Sequence, residues 1–192
     1  MTTDTAPVSS TRQKHPARVF ALGAGAVVVI MAVVLTLTIG NDPSADRRQS
    51  ALFGKPAPSF SLPTLDGQRV SLASIAGKSV MVNFWNTWCV PCRAELPALK
   101  EFYDRHADDS DFVMIGIVRD DTTSAVRRYV RSEAMRWTIA LDPGGAAALD
   151  FGTRGQPETY AIAPNGQIVG FQWGPSRVAD LEAMLNTTRG QQ

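Results

Sequence analysis

Residues 84 to 100 read FWNTWCVPCRAELPALK and contain both cysteines of the chain, Cys89 and Cys92, separated by Val90 and Pro91. The apolar run Ser79 to Phe84 has the composition of a buried strand. Beyond the cysteines, Leu96, Leu99 and Tyr103 recur at helical spacing. A strand therefore delivers the pair to the first turn of a helix. Unpaired backbone N–H groups and the positive dipole end favour a thiolate there. A bare Cys-x-x-Cys is equally an incidental core pair or half of a metal site. Its position between strand and helix, with Pro91 inside it, points to dithiol–disulfide exchange.

The cost of activating that thiol can be sized. At an unperturbed pKa of about 8.5 only roughly 3% is ionised at pH 7. Reaching a pKa of about 7 takes about 2 kcal/mol of selective stabilisation. A helix N-terminus typically supplies about 0.3 to 1 kcal/mol, so direct N–H bonds must add the remainder. The thiolate population then rises about fifteenfold while intrinsic nucleophilicity falls about fivefold, a net gain of a few-fold. Cys89, at the helix tip, is expected to be the exposed nucleophile. Cys92, turned inward, is the resolving thiol.

The remainder of the 192 residues supports one domain with an appendage. Hydrophobic residues at 44% and charged residues at 19% describe a globular chain, and a net charge of +1 gives no case for nucleic acid binding. The basic residues Arg127, Arg128, Arg131 and Arg136 read as a solvated helix face. Two cysteines make no disulfide scaffold and are too few for a Cys-only zinc site. A copper- or zinc-binding module would need further soft ligands near the pair, and His106 and His15 are distant in sequence.

Residues 1–18 are a polar tail. From Val19 to Ile39 there is no charged residue, and 21 residues at helical rise span roughly 30 Å, about one hydrocarbon core. The run exceeds a signal-peptide core of roughly 7 to 15 residues, and Pro43-Ser44-Ala45 is the nearest approach to a cleavage site. An uncleaved single-pass anchor over 19–39 is expected. Arg12, Lys14 and Arg18 before it place the N-terminus inside and the catalytic domain outside the cytoplasm. Residues 40–58 read as a Pro-broken linker, and 59–189 as the folded domain.

Within that domain FSLPTLDGQRVSL is a hairpin about Asp66-Gly67, followed by a helical turn over Ala73 to Ala76. Phe112 to Val118 is a strand buried on both faces. A helix with Val126, Tyr129 and Val130 on one side follows a Thr/Ser cap. Trp137 to Leu141 is a short strand, and Ala146 to Phe151 a short helix. Thr159 to Ala163 and Gln167 to Phe171 form a hairpin. Ser176 caps a final helix with Val178, Leu181 and Leu185 facing the core. The expected fold is α/β, a mixed central sheet flanked by helices.

These segments resemble the thioredoxin superfamily, and within it the membrane-anchored TlpA-like branch of ResA and CcmG/DsbE proteins. The resemblance rests on GKPAPSFSLPTLDG, FWNTWCVPCRAELP with Pro97 five residues past Cys92, and GQPETYAIAPNG, and covers roughly residues 52 to 186. It implies a thioredoxin-like fold with an N-terminal hairpin and a redox-active Cys89–Cys92 pair that needs no cofactor. Pro157 matches the family's cis-proline opposite the cysteines, leaving the backbone of Gln156 free for a substrate strand. Glu95 matches the branch's active-site acid, which if buried relays a proton to or from Cys92; from its position alone it is equally a solvated first-turn glutamate. Glu158 matches the acid after the cis-proline in CcmG-type members and is placed with substrate binding or at the rim. Trp85 reads as packing, whereas Trp88, beside Cys89, is a candidate substrate contact. Val90-Pro91 and Thr153-Arg154 differ from the CcmG pattern, which bears on the substrate and not on the chemistry. The implied activity is reduction of disulfides, with the heme-binding thiols of apocytochrome c as client and a membrane thiol-disulfide carrier as electron donor. An oxidase that introduces disulfides into exported proteins is the alternative of the same class.

Overall fold

The computed structural model describes residues 50–191 together with Val29, Met31 and Val33, three helical residues. Apart from those three, the anchor expected over 19–39 lies outside the described residues, as do the tail 1–18 and linker residues 40–49. Among the described residues no helix is long and apolar enough to cross a membrane.

Strands β1 (Ser61–Pro63) and β2 (Arg69–Ser71) form an antiparallel hairpin. Its turn holds Gly67 at φ 87°, a conformation that costs a glycine nothing. A short 3-10 turn, Ala73–Ile75, leads to β3 (Ser79–Trp85). Then come helix α1 (Val90–His106), β4 (Phe112–Val118), α2 (Thr123–Ser132), β5 (Thr138–Leu141) and the short α3 (Ala146–Asp150). The chain ends with β6 (Glu158–Ile162), β7 (Ile168–Trp173) and α4 (Val178–Arg189). The main sheet has the order β5-β4-β3-β6-β7. β3 runs parallel to β4 and antiparallel to β6, which makes the sheet mixed as the sequence predicts.

Strand period divides the core in two. Met81 and Trp85 of β3, with Met114 and Val118 of β4, meet Leu96, Leu99 and Phe102 of α1, Val126 of α2, and Leu181 and Leu185 of α4. On the other face Val80, Val82, Phe84, Ile115 and Ile117 meet the hairpin's Leu62 and Val70 and the Ala147-Ala148 step of α3. Each fully buried aliphatic or aromatic side chain contributes about 1.5 to 3 kcal/mol. Gly116 sits where no other residue fits: a Cβ there would lie 2.7 Å from Trp85 Nε1 and 3.0 Å from Ile139 Cδ1.

Two boundaries differ from expectation. Residues 54–57, read as linker, are bonded along β7 and its turn: Ile168 N–H donates to Lys55 O (2.9 Å) and Ala57 N–H to Gly166 O (2.9 Å). On the opposite flank Leu65 N–H donates to Ile139 O (3.0 Å), so the hairpin covers the β5 edge. The second difference is the cap of α4, which is Arg177 and not Ser176. The Asp180 carboxylate accepts from the Arg177 backbone N–H and guanidinium, closing the first turn one residue later than the Ser signal suggests.

Candidate functional site

β3 ends at Trp85, and four residues later Cys89 occupies the N-cap of α1 in extended conformation (φ −76°, ψ 105°). Cys92 N–H donates to Cys89 Sγ at 3.2 Å and Arg93 N–H to Cys89 O at 3.1 Å. Pro91 falls in the first turn, where its missing N–H leaves no ladder bond broken. The two sulfurs are joined in a disulfide with Cα atoms 5.2 Å apart. The expectation of an exposed Cys89 over a buried Cys92 needs correction: each is 5% exposed in this oxidised form. What separates them is electrostatic. The Cys89 sulfur receives a first-turn N–H at the positive end of the helix. Exposed Trp88 and Val90 flank Cys89 as apolar surface.

The loop carrying the cysteines is clamped by the segment after β4. Asp121 Oδ2 accepts from Thr87 N–H (2.9 Å) and Thr87 Oγ1 (2.7 Å). Asn86 Nδ2 donates to Arg119 O, Trp88 Nε1 to Asp120 O (3.2 Å), and Arg93 Nε to Thr87 O (2.7 Å). Asp120 takes φ 54°, a left-handed turn that Asp tolerates better than most residues. Sequence reasoning missed these partners; those of Asn86, Thr87 and Trp88 lie more than thirty positions away. Trp85 is buried and stacks on Tyr129 at 5.6 Å, the packing role expected of it.

Behind the disulfide lies Glu95, 2% exposed, on the α1 face that also carries Cys92. The solvated-glutamate alternative is therefore excluded. Asn83 Nδ2 donates to Glu95 Oε1 (2.9 Å) and also to Thr159 Oγ1 (3.0 Å). Ser176 N–H donates to Glu95 Oε2 (2.9 Å). Burial raises this carboxyl from 4.5 to about 7, and the bonds from Ser176 and Asn83 limit the rise. Asn83 was legible as a polar residue inside the run VMVNFW, though not as the partner of Glu95.

The Gln156–Pro157 bond is cis. Glu158 pairs with Phe84 in the antiparallel register, so Pro157 stands at the end of β6 next to the end of β3 that feeds the cysteine loop. Pro157 O accepts from Gly174 N–H (2.9 Å), while the Gln156 backbone makes no hydrogen bond among the described residues. Glu158 is not at the rim. It is fully buried and shares the sheet face of Phe84 and Tyr160, not that of Asn83 and Thr159. Its carboxylate accepts from Arg154 N–H (2.7 Å), Gly155 N–H (2.9 Å) and Tyr160 OH (3.0 Å), holding the loop that leads into Pro157. Burial, then the Glu158 charge, pushes the Tyr160 hydroxyl up, keeping it a neutral donor. Among the described residues no group of three or more His, Cys, Asp or Glu is gathered to hold a metal ion.

The Redoxin family pattern matches residues 53–185, which include every element of this site. The chain belongs to the Redoxin family. Among its relatives the thiol-disulfide oxidoreductase ResA of Bacillus thuringiensis subsp. konkukian is 31% identical over 69% of this chain and 76% of its own length. The thiol:disulfide interchange protein DsbE of Pseudomonas aeruginosa is 34% identical over 74% of this chain and 77% of its own. A crystal structure of a thioredoxin family thiol:disulfide interchange protein from Chlorobium tepidum superposes with TM-score 0.62 at 31% identity, covering 69% of this chain and 94% of that one. This Redoxin-family member is a thiol-disulfide oxidoreductase of the ResA/CcmG-DsbE branch, as the sequence resemblance implies. Its redox centre is the Cys89–Cys92 pair.

Proposed function

We propose that this oxidoreductase acts mainly as a reductant outside the cytoplasm, tethered by residues 19–39, and that its clients are the heme-binding thiols of apocytochrome c. The carrying observation is a disulfide at the mouth of α1 with a buried carboxyl titrating near neutrality behind it. The client is suggested by the resemblance to ResA and CcmG/DsbE proteins.

In the reducing direction the Cys89 thiolate attacks one client sulfur, and the other client sulfur leaves and takes up a proton. The ionised Glu95 carboxylate removes the proton from Cys92. Cys92 then attacks Cys89 Sγ, breaks the mixed disulfide and expels the second client sulfur. Two electrons pass from the dithiol to the client, and a membrane thiol-disulfide carrier restores the reduced pair. Gln156 supplies unpaired backbone for a client strand and Trp88 an apolar contact. Cys89, Cys92 and Glu95 are the reacting groups in this reading; Pro157 shapes the opposing wall, and Glu158 holds that wall from beneath.

The test is trapping with the full chain. Cys92→Ser, expressed in the native host, leaves a mixed disulfide through Cys89, and mass spectrometry identifies apocytochrome c peptides containing its paired cysteines. Cys89→Ser traps nothing. Equal trapping by both variants overturns the assignment of roles. A set of clients made up of exported disulfide proteins, with a reduction potential near the DsbA value of about −120 mV, replaces the reductant reading by the oxidase one.

A further inference from the structure

Glu95 is 2% exposed, so a proton it takes up leaves through a neighbouring group and not straight into bulk water. Its two hydrogen-bond partners are Asn83 Nδ2 and the Ser176 backbone N–H. Both are pure donors and cannot accept a hydrogen from a neutral carboxyl. A hydroxyl can do both. One is present: Ser176 Oγ belongs to a residue 3% exposed and has no hydrogen-bond partner of regular geometry among the described residues. The backbone bond fixes Ser176 against the carboxylate, which brings its unpartnered hydroxyl to the same side chain. Its neighbours Pro175 and Arg177 are exposed, so this buried hydroxyl lies beneath a solvent-facing turn between β7 and α4.

We propose that Ser176 is a positioning residue whose hydroxyl carries the Glu95 proton to and from solvent in each turnover. The inference rests on the reading in which Glu95 takes the Cys92 proton. As Cys92 S–H gives its proton to the carboxylate, the sulfur electron pair forms the bond to Cys89 Sγ. The bond from Cys89 to the client sulfur breaks, and that sulfur leaves as a thiolate. The neutral carboxyl then donates its O–H to Ser176 Oγ while the serine hydrogen passes to water. The carboxylate is restored, and the hydroxyl turns to donate back to it.

The test uses the reduced full chain and an aromatic disulfide whose released thiolate is coloured. The first thiolate reports attack by Cys89, the second resolution by Cys92, and a pH-indicator dye in weak buffer reports proton release. Glu95→Gln slows the second phase. Ser176→Ala leaves the first phase alone, slows the second phase and proton release about three- to tenfold, and shifts the midpoint of the pH profile; that range is what loss of one hydrogen bond produces. The double variant behaves like Glu95→Gln alone. If Ser176→Ala matches the parent while Glu95→Gln is slow, the serine inference falls and the reading of Glu95 stands. If Glu95→Gln matches the parent, the reading itself falls and takes the inference with it. If Ser176→Ala slows the Glu95→Gln protein further, the serine acts without Glu95 and the inference is overturned.

Discussion

Replacing Glu95 by Gln exposes the energetic cost of the buried carboxyl as a pH dependence of stability. The carboxyl rises from 4.5 to about 7 because burial disfavours its charged form. That is some 2.5 pH units, and at about 1.36 kcal/mol per unit it corresponds to about 3 kcal/mol. Below pH 4.5 the folded and unfolded chains both carry the proton, and no penalty exists. As pH climbs toward 7 the unfolded chain ionises while the folded one stays neutral, so stability falls. Above 7 the full loss is reached. Gln brings an NH2 against one of two donors, Asn83 Nδ2 or Ser176 N–H. That cost does not vary with pH, so the slope and not the offset carries the test. Urea denaturation of the oxidised proteins at pH 4 to 8.5 is expected to show the parent losing about 3 kcal/mol relative to Glu95→Gln, mostly between pH 4.5 and 7. Groups common to both cancel in the difference. A difference that stays flat across the range refutes the assignment of a neutral buried carboxyl.

Two further substitutions probe the frame around the site. Gly116→Ala forces a Cβ to within 2.7 Å of the Trp85 indole; overpacking of this kind costs about 1 to 3 kcal/mol, read as a lowered urea midpoint with altered near-UV dichroism. Glu158→Ala strands the N–H groups of Arg154 and Gly155, while the Tyr160 hydroxyl keeps Phe151 O as its acceptor. A loss of about 2 to 4 kcal/mol is expected from those unpaired donors, together with faster amide exchange over residues 153–156; unchanged exchange there refutes its role as the anchor of that loop.

Much of this architecture was legible because apolar period and turn chemistry agreed along the chain. The run from Val80, broken only by Asn83, and the run from Phe112 are apolar because both strands are covered on two faces, and Asp66-Gly67 marked the hairpin. Cys89 and Cys92 announced themselves through position alone. What could not be read was whatever depends on register between distant segments. Glu158 follows Pro157 directly, yet strand alternation turns it to the far face of the sheet. Asp121 holds Thr87 across a gap of more than thirty residues. Ser176 looked like a helix cap because Ser is a common one; Asp180, three residues beyond Arg177, closes the helix instead and leaves the serine to Glu95.

Both flanks of the main sheet are occupied by the protein's own chain, residues 54–57 along β7 and the hairpin along β5. A visiting polypeptide therefore finds part of the lateral berth that an open sheet margin offers already taken, which narrows the commonest route to indiscriminate β association. In the function proposed above, backbone recognition falls to Gln156, whose peptide groups the fold leaves unspent. On that proposal a client brings its cysteine and its extended stretch together, and selectivity follows from the requirement.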